Sequence, residues 1–82
     1  MASEISIRRG APTRAAIALF GVIDVDARPG YPLTVRLGFD DGEEHRYTLE
    51  PGDTFRVRDE TWVLHRVEDP ANDWRVFIRK VE

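Results

Sequence analysis

Between Leu33 and Leu49 apolar and polar positions alternate: Leu33, Val35, Leu37 and Phe39 are interleaved with Thr34, Arg36 and Gly38, and His45, Tyr47 and Leu49 with Arg46 and Thr48. A period of two belongs to a strand with one buried face, and the intervening Asp40-Asp41-Gly42 marks a hairpin. A two-residue Asp41-Gly42 loop would set Leu37 opposite Arg46 and send one strand's apolar set to the wrong face. A three-residue loop over Asp41, Gly42 and Glu43 pairs Phe39 with His45, Leu37 with Tyr47 and Val35 with Leu49. The pattern therefore predicts an odd-length turn with a glycine bulge.

A second hairpin follows Pro51-Gly52-Asp53. Phe55 and Val57 alternate with Thr54, Arg56 and Arg58, and Asp59-Glu60 can form a two-residue turn. That register sets Val57 opposite Trp62 and Phe55 opposite Leu64 on one face, with Arg56 opposite Val63 and Thr54 opposite His65 on the other. The second face of the returning strand, Val63, His65 and Val67, is then more apolar than a solvated face. The last strand, Trp74 to Val81, is two-sided as well, with Trp74, Val76 and Ile78 on one face and Phe77 and Val81 on the other. Strands apolar on both faces call for a cover on both: a closed barrel, a second sheet or a partner molecule.

The N-terminal part supplies Ile5 and Ile7, then an apolar run from Ala15 to Val25 in which Ile17, Leu19, Ile23 and Val25 share a face and Gly21 interrupts. Apolar content alone would also allow a helix. The mid-run glycine, the β-branched Val22, Ile23 and Val25 and the alternating Asp24 and Asp26 favour a long strand, bent or bulged near Gly21. About seven strands in 82 residues, joined by tight turns with no linker or repeat, predict one all-β domain over residues 1–82. Its architecture is a small antiparallel barrel or two-sheet sandwich, an SH3-like barrel being the first choice.

Composition narrows the function. A domain this small has a thin core and a total stability on the order of 4–12 kcal/mol, so a buried cleft of unpaired polar groups is hard to sustain. The absence of cysteine removes thiolate chemistry and disulfides and fits a reducing compartment. The start lacks a basic leader region, and the run from Ala15 to Val25 is too short for a bilayer and contains Asp24. The cytoplasm is the expected location, with no membrane association. A net charge of −3 gives no bulk attraction to nucleic acid.

Catalytic constellations are sparse. His45 and His65 are the two groups suited to proton transfer or soft-metal ligation, but neither has ligand spacing, and Glu43 and Glu44 beside His45 do not complete a set. Asp40-Asp41-Gly42-Glu43-Glu44 lacks the alternating ligands of a calcium loop. Asp24 and Asp26 share a strand face and could form a carboxylate pair, though two solvated aspartates are the commoner arrangement. Ser3 and Ser6 lie near the terminus without a nucleophile elbow, and Gly38, Gly42 and Gly52 are isolated. The chain is not expected to be an enzyme, and no cofactor or metal is expected.

The stretch Leu49-Glu50-Pro51-Gly52-Asp53-Thr54-Phe55-Arg56-Val57, followed by Trp62-Val63-Leu64 and Trp74-Arg75-Val76-Phe77-Ile78, resembles the ending of short uncharacterised all-β proteins, domains of unknown function, of high-GC actinobacteria. The resemblance covers less than half the chain and implies an origin without an activity. The Pro-Gly-Asp turn also recurs in cupins, but the cupin metal-histidine motif is missing and the chain is too short, so no site is carried over.

The densest functional signal is the C-terminal crowding of Arg56, Arg58, Arg66, Arg75, Arg79 and Lys80 beside Trp62, Trp74 and Phe77. The leading expectation is a non-catalytic interaction or assembly module that docks a protein partner, a second copy included, through Arg56, Val63, His65, Trp74, Arg75, Phe77 and Arg79, or through a free strand edge. The alternatives are a barrel that binds single-stranded nucleic acid through Arg56, Arg75, Arg79 and Trp74, and a small metal- or ligand-binding protein using His45, His65 and nearby carboxylates.

Overall fold

A computed structural model describes residues 4–81. They form eight strands, β1 (Glu4–Arg8), β2 (Thr13–Arg14), β3 (Leu19–Asp26), β4 (Thr34–Asp40), β5 (Glu44–Leu49), β6 (Thr54–Val57), β7 (Glu60–Glu68) and β8 (Arg75–Val81). Two antiparallel sheets result, ordered β1-β8-β7-β6 (sheet A) and β2-β3-β4-β5 (sheet B). Within each sheet consecutive strands pair, except that β1 pairs with β8, and the chain changes sheet between β1 and β2 and between β5 and β6. The fold is thus the all-β domain expected, two antiparallel sheets of a small sandwich or barrel, with eight strands in place of about seven.

The β4–β5 hairpin has the predicted register, Phe39 opposite His45, Leu37 opposite Tyr47 and Val35 opposite Leu49. Its odd turn works because Gly42 takes φ +113°, a conformation that strains any residue with a Cβ. The β6–β7 hairpin differs from expectation. Its turn is Arg58-Asp59, and Phe55 stands opposite Trp62 and Arg56 opposite Thr61. Arg58 takes the left-handed conformation, φ +56°. Beyond the ladder, the Gly52 N–H bonds the Leu64 carbonyl and the Leu64 N–H bonds the Asp53 carbonyl, at 2.7 and 2.9 Å. A slip of two residues leaves every side chain on its predicted face, so the hydrophobic pattern could not detect it.

The Ala15 to Val25 run is not one strand. The Ala15 N–H bonds the Ala18 carbonyl at 2.8 Å, closing a turn between β2 and β3. The bulge lies at Ile23, two residues past Gly21, where the register with β4 shifts. A bulge switches parity: Phe20 and Val22 face inward before it and Val25 after it, while Ile23 is 46% exposed, so the face expected for Leu19 and Ile23 is corrected. A second bulge falls at His65 in β7. It turns Val67 inward opposite Val76 and sets Arg66 outside opposite Phe77, which dissolves the apolar outer row expected of Val63, His65 and Val67.

Between the sheets lies a core without buried polar groups among the described residues. Phe20 sits at its centre, its ring centroid 5.7 Å from Phe39 and 5.5 Å from Trp62, so the two sheets meet through aromatic contacts. One seam of the sandwich is closed by a bridge between Arg8 and Ala11 and by the Thr13 hydroxyl, which donates to the Ser6 carbonyl at 2.9 Å. At the other seam, between β5 and β6, Tyr47 packs on Phe55 with ring centroids 6.0 Å apart.

Candidate interaction surface

Alternation along β1, β6, β7 and β8 decides what faces solvent on sheet A. Ile5, Ile7, Phe55, Val57, Trp62, Leu64, Val76 and Ile78 point into the core, so their neighbours point out. The outer face carries Arg8, Arg56, Arg66, Arg75 and Arg79 against two carboxylates, Glu4 and Glu68. Both carboxylates are drawn to Arg66: Glu68 bonds it at 2.7 Å and Glu4 stands 4.0 Å away. Arg8, Arg56, Arg75 and Arg79 make no ion pair among the described residues. Arg8 and Arg75 are direct cross-strand partners, a like-charge opposition, and Arg75 has Glu68 as its cross-strand partner on the other side, though that carboxylate bonds Arg66.

Of the residues singled out in the sequence, Arg56, Val63, Arg75, Phe77 and Arg79 share this face. His65 is exposed at the β7 bulge, its Nε2 3.9 Å from Glu4. Trp74 does not belong to the face, because it precedes β8 and is 7% exposed in the core. Phe77 is on the face but covered: the Arg66 guanidinium lies 3.7 Å from its ring centroid, a cation–π contact that hides the ring. The two-sided apolarity of β7 and β8 is therefore satisfied within the chain by a bulge and an arginine. Sequence reasoning missed Arg8, since its place on this face depends on β1 pairing with β8 across most of the chain.

The other candidates are accounted for differently. His45 stacks on Phe39, ring centroids 4.8 Å apart, and its Nε2 is 3.2 Å from the Asp41 carboxylate. Partial burial pushes the Asp41 carboxyl up, but the Glu43 N–H, His45 and Arg58 together outweigh it and hold the group below the usual carboxylate range. Asp24 and Asp26 do share a strand face, but each has its own cation, Arg36 at 3.3 Å and Arg28 at 2.9 Å. Hydrogen bonds from the Arg28 side chain and backbone lower the Asp26 pKa. Among the described residues no three His, Asp or Glu side chains converge to hold a metal. Ser3 lies outside the described residues, and Ser6 is an exposed β1 residue opposite Phe77.

A family model matches residues 2–82, and the chain belongs to that family, a family of unknown function (DUF6406). No curated protein and no solved structure matches it.

Proposed function

We propose that this domain is a non-catalytic interaction module that docks an acidic protein partner on the outer face of sheet A. The observation that carries the reading is the set Arg8, Arg56, Arg75 and Arg79, without an ion pair among the described residues, on a chain of net charge −3. Four guanidinium groups on one rigid sheet offer bidentate, charge-assisted hydrogen bonds to carboxylates and steer an acidic partner on approach. A two-fold pairing of this face with its own copy would set arginine against arginine, which favours a different protein as partner. With Trp74 in the core and Phe77 under Arg66, the face lacks the open aromatic platform on which single-stranded bases stack. The carboxylates and histidines are each engaged or scattered, which speaks against metal binding and catalysis.

The resemblance of the C-terminal strands to short proteins of high-GC actinobacteria sets the origin in which to seek the partner, and a cytoplasmic location is part of the proposal. The test is affinity capture from an actinobacterial lysate with the wild-type domain and the Arg75→Glu/Arg79→Glu variant. An acidic protein retained by the first and lost with the second is the expected result. Capture unaffected by the double reversal overturns the reading. Titration with labelled oligonucleotides at low salt, where electrostatic attraction is strongest, should show no saturable binding.

A further inference from the structure

A surface groove of about 970 Å3 lies away from the arginine face, where the β1–β2 turn and the β7–β8 loop meet the bulged half of β3. Its lining includes Arg9, Asp24, Asp26, Arg28, Arg36 and Trp74. The two aspartates are each bound to an arginine of the groove, Asp24 to Arg36 and Asp26 to Arg28. Arg9 is left as the cation without a carboxylate among the described residues. One of its nitrogens donates to the Asn72 carbonyl at 3.2 Å, which tethers the β1–β2 turn to the β7–β8 loop and leaves the rest of the guanidinium available.

The two tryptophans differ in a way that points into this groove. The Trp62 indole N–H donates to Glu60 Oε1 at 3.1 Å. The Trp74 indole, on a side chain more than nine-tenths buried, has no acceptor among the described residues. No fully buried side-chain nitrogen or oxygen lacks a partner among those residues, so the Trp74 N–H is not sealed from solvent, and Trp74 lines this groove. A donor held by a rigid core residue, in a groove also lined by a guanidinium with spare N–H groups, is suited to one anionic oxygen.

We propose that this groove is a second binding site, independent of the arginine face, which takes a ligand through a carboxylate or phosphate oxygen held between the Trp74 indole N–H and the Arg9 guanidinium. Such a ligand gives the indole N–H a charge-assisted bond in place of solvent. The rigid ring lowers the ordering cost on the protein side.

Two-dimensional 1H–15N NMR shows the two indole N–H signals separately, assigned with Trp62→Phe. Titration with inorganic phosphate in one arm and acetate in the other should move the Trp74 signal saturably and leave Trp62, already bonded to Glu60, in place. The arm that saturates at lower concentration identifies the oxyanion class. Arg9→Ala, an exposed substitution compatible with folding, should weaken the response about tenfold, the loss typical of one charge-assisted bond. Arg79→Glu, on the other surface, should leave it unchanged even if the docking face proves wrong. No saturable movement of Trp74 in either arm, equal movement of both indoles, or a response indifferent to Arg9→Ala overturns the site.

Discussion

The two outer faces of the sandwich are built by the same alternation from sheets of the same size, yet they treat their charges differently. On sheet B, Asp24 is paired with Arg36 and Asp26 with Arg28, while Arg14 and Arg46 make no ion pair among the described residues and share their sheet with those aspartates and with Asp40 and Glu44. On sheet A, Glu4 and Glu68 both attend Arg66, and Arg8, Arg56, Arg75 and Arg79 are left without an ion pair among the described residues. A paired charge on a solvated sheet adds little to stability and nothing to recognition. An unpaired row set on one rigid sheet adds nothing to stability but is pre-positioned for an outside anion. The difference is why the proposed working surface is the outer face of sheet A, while the folding work lies in the space between the sheets.

That division can be broken first at the core. Phe20→Ala removes the ring that joins Phe39 of sheet B to Trp62 of sheet A and should cost about 3–5 kcal/mol in urea unfolding. A loss below about 1 kcal/mol would mean the two sheets are held by something other than this contact. A smaller effect is expected where an arginine serves structure. Arg66→Ala uncovers Phe77 and should cost roughly 0.5–1 kcal/mol, with a rise in binding of a hydrophobic dye as the ring is exposed. Arg75→Glu/Arg79→Glu should fall within about 0.5 kcal/mol of wild type in the same measurement, as befits groups that fold nothing.

The seam between the sheets adds a pH-dependent term. Asp41 titrates below its unfolded value because Glu43, His45 and Arg58 favour its charged form. A lowered pKa contributes stability that is fully present above the unfolded value of about 3.9 and is lost as pH falls through the lower folded value. Asp41→Asn should therefore be less stable than wild type at neutral pH, with the gap closing as pH drops below that range. A gap that persists in acid would assign the effect to the turn geometry instead of the charge.

Much of this fold is legible in the chain. Period-two alternation placed Val35, Leu37 and Phe39 opposite Leu49, Tyr47 and His45, because a wrong register there would have moved a whole apolar set into water. The same signal is blind to a slip of two, which is why the Arg58-Asp59 turn differs from expectation while the buried set of that hairpin does not. Bulges are the harder case: Ile23 and His65 each reverse the parity of the strand residues C-terminal to them, and neither residue carries a local mark of it. The candidate surface was legible as an arginine crowd but not as a face. Trp74 reads as strand yet closes the core, Phe77 reads as exposed yet lies under Arg66, and Arg8 joins only through pairing between the two ends of the chain.

The most direct measurement of the central claim places a photoreactive residue on each outer face, at Ser6 on sheet A and at Arg46 on sheet B, away from the groove, and records crosslinked partners in a lysate. Sheet A should yield a discrete adduct with an acidic protein, abolished by Arg75→Glu/Arg79→Glu, and the Arg46 position none. The same adduct from both positions, or one from Arg46 alone, would contradict the account.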